Sequence, residues 1–264
     1  MVSGDCLFKR LIAVLCCLCG SLTLVAQELP AERFVPDGTL CYQLYFKWGV
    51  LMPKAGKAAL VVQDTAYRGK PAWKYTLTFH TTGLFEKVFR MRDTLDCYIS
   101  KEDCLLQFAT KHSDEGDYYS VDDLAFSYTG QETKVHSRRY TLTRTKIDTL
   151  LVAEGKVYDM LAATMYLRAL DWEGMTIGSE YPFRVAIGRD LVNSAFRYAG
   201  QQVVEYKGKT YRTHHFYIDV YDEAFTQSKA AGEAWIDDDS NRVPVKLRAK
   251  LKIGAAEAYF VRDL

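Results

Sequence analysis

Residues 155–174 read GKVYDMLAATMYLRALDWEG, and nothing else in the chain resembles them. Tyr158, Leu161, Ala162, Met165, Tyr166 and Ala169 recur at the three-and-four spacing of one apolar helical face. Asp159 stands where a carboxylate can accept the orphan backbone N–H groups of a first turn. Arg168 falls in the last turn, where a cation suits the helix dipole, and Gly174 can end the run. The pattern predicts one central helix at about 158–170, the only long helical pattern after the N-terminus. The chain on either side alternates as strands do. The helix is therefore expected to plug or brace two β halves.

Working outward, the first strong strand is TLCYQLYFKWG, residues 39–49. Leu40, Tyr42, Leu44, Phe46 and Trp48 share one face of it, and Cys41, Gln43, Tyr45 and Lys47 the other. AWKYTLTFHTT, residues 72–82, alternates as cleanly, with Trp73, Tyr75, Leu77 and Phe79 against Lys74, Thr76, Thr78 and His80. One buried and one wet face is the antiparallel pattern. Residues 83–93 (GLFEKVFRMRD) read as one helical turn or a loop with an apolar knob. Strands are expected at 94–99, 105–111, 118–126, 134–143 and 146–152, with His112 to Asp117 as a turn. Beyond the helix they are expected at 181–187, 191–198, 203–206, 211–220, 232–236, 243–251 and 256–261. Tyr67-Arg68-Gly69-Lys70 recurs as Tyr206-Lys207-Gly208-Lys209. Two similar halves or convergent hairpin-turn chemistry both account for the echo. The expected fold is mainly β: a single curved antiparallel sheet or half-open β-barrel around one central helix.

The chain opens like an export signal. Lys9 and Arg10 precede an apolar run from Leu11 to Leu24, and Ala26 offers a small residue for cleavage before Gln27. Cys16, Cys17 and Cys19 lie in this run, but Val14-Leu15 and Cys17-Leu18 lack the small residue expected ahead of a lipidated cysteine. The run is shorter than the roughly 20 apolar residues of a comfortable transmembrane helix. The expected organisation is a signal peptide at 1–26 and one β-rich envelope domain at 27–264. The mature chain is then exported to the periplasm and not integral to a membrane. Its charge is balanced, since the whole chain carries 34 Lys and Arg against 33 Asp and Glu. Such a balance points to no nucleic-acid partner. Cys41, Cys97 and Cys104 make no disulfide framework; Cys97 and Cys104 flank a turn and read as buried small hydrophobes or as a cross-hairpin bond.

Three blocks carry a resemblance: FVPDGTLCYQLYFKWGVLMPKAGKAAL at 34–60, VYDMLAATMYLRAL at 157–170 and GEAWIDDDSNRVPVKLRAKLKIGAAEAYF at 232–260. Together and in this order, the chain resembles the exported bacterial family called domain of unknown function 3108. The resemblance implies an exported β-rich protein of Gram-negative bacteria and supplies no activity. It implies an architecture similar in kind to the half-barrels that carry lipoproteins across the periplasm, with a helix on the concave side of a curved sheet.

The common catalytic signatures G-x-S-x-G, H-E-x-x-H, S-x-x-K, C-x-x-C and the phosphate-binding glycine loop are absent after residue 26. Asp237, Asp239 and Asn241 fit the first alternate ligands of a calcium loop. Arg242 then stands where glycine is needed and Arg248 where the last carboxylate belongs, so a solvated turn is expected. His214 and His215 are adjacent on a strand and point to opposite faces. His80, His112 and His136 lie apart, and Asp122-Asp123 and Glu115/Asp117 read as solvated charges. No metal or cofactor is expected.

What remains is aromatic: 18 Tyr, 13 Phe and 4 Trp. A concave face lined by Trp48, Tyr75, Phe79 and Trp235, with Phe89 on a lid at 83–89, would hold an acyl chain or apolar peptide unless these side chains simply fill the core. The expected function is a periplasmic, non-enzymatic binding protein whose apolar groove takes a lipid or lipid-modified partner. An envelope protein–protein assembly module is the alternative, and a hydrolase with an unfamiliar site the third.

Overall fold

Side chains that alternate between the two faces from Leu40 build β1 (Leu40–Lys47), which buries Leu40 and Tyr42 on its inner face. The computed structural model describes residues 38–221 and 228–261, so the expected leader lies outside the described residues. After β1 come β2 (Lys54–Tyr67), β3 (Lys70–Thr81), β4 (Arg92–Ser100) and β5 (Leu106–Glu115). β6 (Tyr118–Thr129), β7 (Glu132–Thr141) and β8 (Thr145–Glu154) complete a first meander. The second runs through β9 (Val157–Tyr158), β10 (Glu180–Ile187), β11 (Asp190–Tyr206) and β12 (Lys209–Val220). It ends with β13 (Ser228–Asp237), β14 (Pro244–Lys250) and β15 (Ala255–Val261). A short helix α1 (Leu84–Val88) links β3 to β4, and α2 (Met160–Ala169) follows β9.

All these strands form one 15-stranded sheet, β8 down to β1 and then β15 down to β9. Neighbours are antiparallel except β9 and β10, and the two meanders join where β1 pairs with β15. The sheet curls into a nearly closed barrel. Its two ends approach without a ladder. Ser137 Oγ donates to Gly188 O at 2.6 Å, Arg184 to Glu154 O at 2.7 Å and Arg189 to Lys146 O at 3.1 Å.

The helix α2 occupies the barrel's interior and braces both halves, as expected. Leu161, Ala162, Met165 and Ala169 pack with Tyr75, Cys97 and Val135 of the first meander. Ala163, Leu167 and Leu170 pack with Phe196, Phe216 and Ile236 of the second. Burial runs round most of the helix rather than along one face, because a helix inside a barrel has sheet on several sides. Asp159 caps it, accepting from Leu161 N at 3.2 Å and Ala162 N at 2.8 Å. Arg168 is not a solvated partner of the helix dipole. Its buried guanidinium donates to Arg242 O at 2.8 Å and Asn241 O at 2.5 Å, and Arg242 donates back to Arg168 O and Leu170 O. This reciprocal clasp ties the helix C-terminus to the β13–β14 turn.

Two local expectations change, and two readings left open are narrowed. His112 to Glu115 continue β5, and only Gly116 and Asp117 turn. The strands expected at 191–198 and 203–206 are one strand, β11, bent by a register shift between Tyr198 and Gly200. Cys97 and Cys104 are free, and burial pushes both thiols above their usual range. The echoed turns share a cause in geometry: Arg68-Gly69 and Lys207-Gly208 are both two-residue turns with positive φ at each position.

Candidate functional site

The strand directions put three turns at one end of the barrel, opposite the Arg168 clasp. β1 runs out to Lys47 and β2 returns from Lys54; β3 runs out to Thr81 and β4 returns from Arg92; β14 runs out to Lys250 and β15 returns from Ala255. They touch one another. Thr82 N bonds to Ala55 O at 3.0 Å, and the Phe46 and Phe85 rings lie 5.9 Å apart. Gly254 packs so closely on β1 that a Cβ there would sit 2.2 Å from Lys47 O.

These turns hold their apolar side chains in solvent. Gly49-Val50 forms a tight hairpin closed by two bonds between Trp48 and Leu51, leaving Val50 100 % and Trp48 60 % exposed. Leu84 and Val88 of α1 are 72 % and 77 % exposed, and Ile253 of the β14–β15 turn is 67 % exposed. One exposed apolar residue is ordinary, whereas a set gathered on three touching turns is unusual.

Beside this rim, on the outer face of the sheet, lies a hollow of about 580 Å³ lined by Lys47, Gly49, Glu233, Arg248, Lys250 and Lys252 among others. Behind it sits Glu257, 2 % exposed. Three cations surround its carboxylate, Lys47 and Lys246 at 3.6 Å and Arg248 at 3.7 Å, and Tyr259 donates to it at 2.8 Å. Burial alone would raise the Glu257 pKa, but the Tyr259 bond and the three cations hold it below the usual carboxylate range. Lys246 is pulled down, chiefly by its own burial. Glu233 accepts from Arg248 at 2.9 Å and lies 3.1 Å from His215, whose ring stacks on Trp235. The tip of the β11–β12 hairpin folds over this face, with the Tyr206 ring stacked on Tyr259 and its hydroxyl 2.8 Å from that of Tyr45.

The residues expected to line one concave groove therefore divide among three places. Tyr75 is wholly buried in the core around α2, and Phe79 packs on that core with Asp93 opposite it. Trp48 and Phe89 stand exposed on the rim. Trp235 faces outward, because its neighbours Ala234 and Ile236 take the interior positions of β13. Nor is the lumen toward the rim a purely apolar surface. Asp93 and Lys111 form an ion pair there at 3.2 Å, and Asp122 pairs with Arg139 on the next strands. The apolar surface lies on the rim instead. Sequence reading missed Val50 and Ile253, because turn residues show no periodicity, and took Leu84 and Val88 as part of an apolar knob or lid rather than of a rim; apolar residues at turn positions were the available signal.

The adjacent histidines do face opposite ways. His214 lies 3.0 Å from Tyr198 Oη and 2.9 Å from Asp238, while His215 meets Glu233. In the turn beyond Asp237, the Asp239 side chain accepts from Asn241 N and Arg242 N, each at 3.0 Å. Among the described residues there is no group of three or more His, Cys, Asp and Glu arranged to hold a metal ion, and no helix is long and apolar enough to cross a membrane.

Comparison with known proteins agrees with this architecture. A family model described as "Protein of unknown function (DUF3108)" matches residues 41–261. No curated protein matches the chain. Among solved structures, it is similar to the crystal structure of a β-barrel-like protein of domain of unknown function DUF1849 from Brucella abortus. That likeness has a TM-score of 0.54 at 9 % identity and covers 84 % of this chain and 94 % of the other. At that identity the likeness is one of fold.

Proposed function

The chain belongs to the DUF3108 family of proteins of unknown function, and for it we propose a non-enzymatic binding role in the periplasm. Its open rim would take an apolar group, the acyl chain of a lipid or of a lipid-modified partner protein. The observation that carries this reading is the contiguous set of solvent-exposed apolar side chains on three touching turns, with Val50 and Ile253 held outward by tight hairpins. Binding at such a surface is reversible burial without bond chemistry. The leader-like residues before Gln27 support an exported protein.

The test is native mass spectrometry on protein isolated from the host envelope, followed by lipid analysis and titration with a fluorescent long-chain acyl probe. A bound acyl species and saturable probe binding are expected. Both side chains of the Val50→Asp/Ile253→Asp variant are exposed, so it should keep its Tm and lose probe affinity by about ten-fold or more. A bare protein mass with no probe binding overturns the reading.

The edge strand β8 favours a second role, envelope protein assembly. It ends the sheet with Leu150 and Val152 exposed on its outer face. Defined dimers that disappear with Leu150→Lys would support it.

A further inference from the structure

We infer that the rim docks the barrel end-on to an anionic phospholipid leaflet, its turns entering the interface and its lysines meeting lipid phosphates. This inference rests on the apolar-binding reading above and names the partner. Its independent support is charge. In a chain whose charges balance overall, and beside a β5–β6 turn that carries Asp114, Glu115 and Asp117, residues 47–54, 82–92 and 250–254 hold seven Lys and Arg against one carboxylate, Glu86. That carboxylate is taken by Arg92 at 2.7 Å. Arg90 pairs with Asp114 at 2.7 Å. Among the described residues, Lys54, Lys87, Lys250 and Lys252 of these turns have no ion pair, while Lys47 pairs with Glu257 at 3.6 Å.

The unpaired lysines sit beside the exposed apolar residues on the same turns. Lys250 and Lys252 alternate with Leu251 and Ile253, and Lys87 precedes Val88. The hollow lined by Lys47, Arg248, Lys250 and Lys252 opens next to Ile253, so a phosphate seated there leaves its acyl chains on the apolar side. Trp48 supplies the amphipathic ring that prefers the headgroup level of a bilayer. An apolar wedge ringed by lysines is the chemistry of a surface that is both hydrocarbon and negatively charged. Glu233 and Glu257 offset two of the three cations that hold them, Lys47, Lys246 and Arg248, so the net positive charge of this face rests mainly on Lys250 and Lys252.

The experiment is co-sedimentation of the protein isolated from the envelope with two vesicle types, pure phosphatidylcholine and equal parts phosphatidylcholine and phosphatidylglycerol. The anionic vesicles should bind more protein, and the preference should fade as salt rises. Lys250→Gln and Lys252→Gln should each lower partitioning onto anionic vesicles about five-fold, while the acyl probe still binds. Val50→Asp/Ile253→Asp should abolish binding to both. Equal partitioning on the two vesicle types, unmoved by the lysine variants, overturns the inference and leaves the apolar reading standing. So does a protein that holds one lipid but never sediments with vesicles. Displacement from vesicles by inorganic phosphate at constant ionic strength overturns it too, and assigns the hollow to free anions. Loss of probe and vesicle binding alike sinks both.

Discussion

Asp159 does two things that pull against each other. As the cap of α2 it accepts two backbone N–H bonds, which favour its charge. It is also buried inside the barrel, and burial dominates, raising its pKa from 3.8 to about 6. A carboxyl whose folded pKa lies above its unfolded value contributes stability that is complete below the unfolded pKa. That contribution is lost as pH rises through the folded one. The window is therefore about pH 4 to about pH 6, and the loss across it is about 3 kcal/mol. Asp219 and Glu257 are shifted the other way and add the opposite slope below their usual range. The clean observable is the difference between wild type and Asp159→Asn in urea unfolding. Asn can still cap the helix but does not titrate. Relative to the variant, wild type should lose stability between about pH 4 and about pH 7, and parallel curves would remove the burial argument. The capping role of Asp159 was legible from its position. Its burial was not, and neither was the burial of Arg168, because a polar residue at a helix end gives no sign that a sheet closes over it.

At the scale of turns and strands, glycines show which contacts hold the rim together. Gly254 and Gly69 both have positive φ, 75° and 80°. A Cβ on Gly69 would meet nothing within 4 Å, whereas one on Gly254 would strike Lys47 O at 2.2 Å. Gly69→Ala should therefore cost about 1 kcal/mol of backbone strain alone. Gly254→Ala should cost clearly more and push the β14–β15 turn off β1. If rim binding depends on the three turns touching, Gly254→Ala should weaken the acyl probe while Gly69→Ala leaves it unchanged. Equal effects in thermal melts and probe titrations would dissociate the rim from that packing. Most strands were legible because each shows one wet and one buried face; β3 is the clearest, with Tyr75 and Leu77 inward and Thr76 and Thr78 outward. Register shifts hid the rest. The bend at Gly200 split β11 into two apparent strands, and the shift near Trp235 sits where its facing was misread.

For the whole molecule, the open question in the sequence was whether the sheet closes, because inward aromatics look alike in an open and a closed barrel. The answer lies in contacts between residues far apart in the chain. Antiparallel pairing runs unbroken from β8 through β1 and β15 to β10, and it stops at a seam between β8 and the β9–β10 end. Across the seam stand side chain-to-carbonyl bonds rather than a ladder, with Arg184 reaching Glu154 O and Arg189 reaching Lys146 O. Each is worth about 1 kcal/mol at most, since both bonds are exposed. Removing both should thus loosen one edge and not the core. In Arg184→Ala/Arg189→Ala, amide exchange should quicken in β8, residues 145–154, and stay unchanged in β1 to β3, which are paired on both sides. A freed β8 would also offer its unpaired backbone beside exposed Leu150 and Val152, so the variant should self-associate at high concentration. Uniformly faster exchange would mean that the seam contributes to global stability. Unchanged exchange would mean that packing of both meanders on α2 suffices to hold the barrel shut.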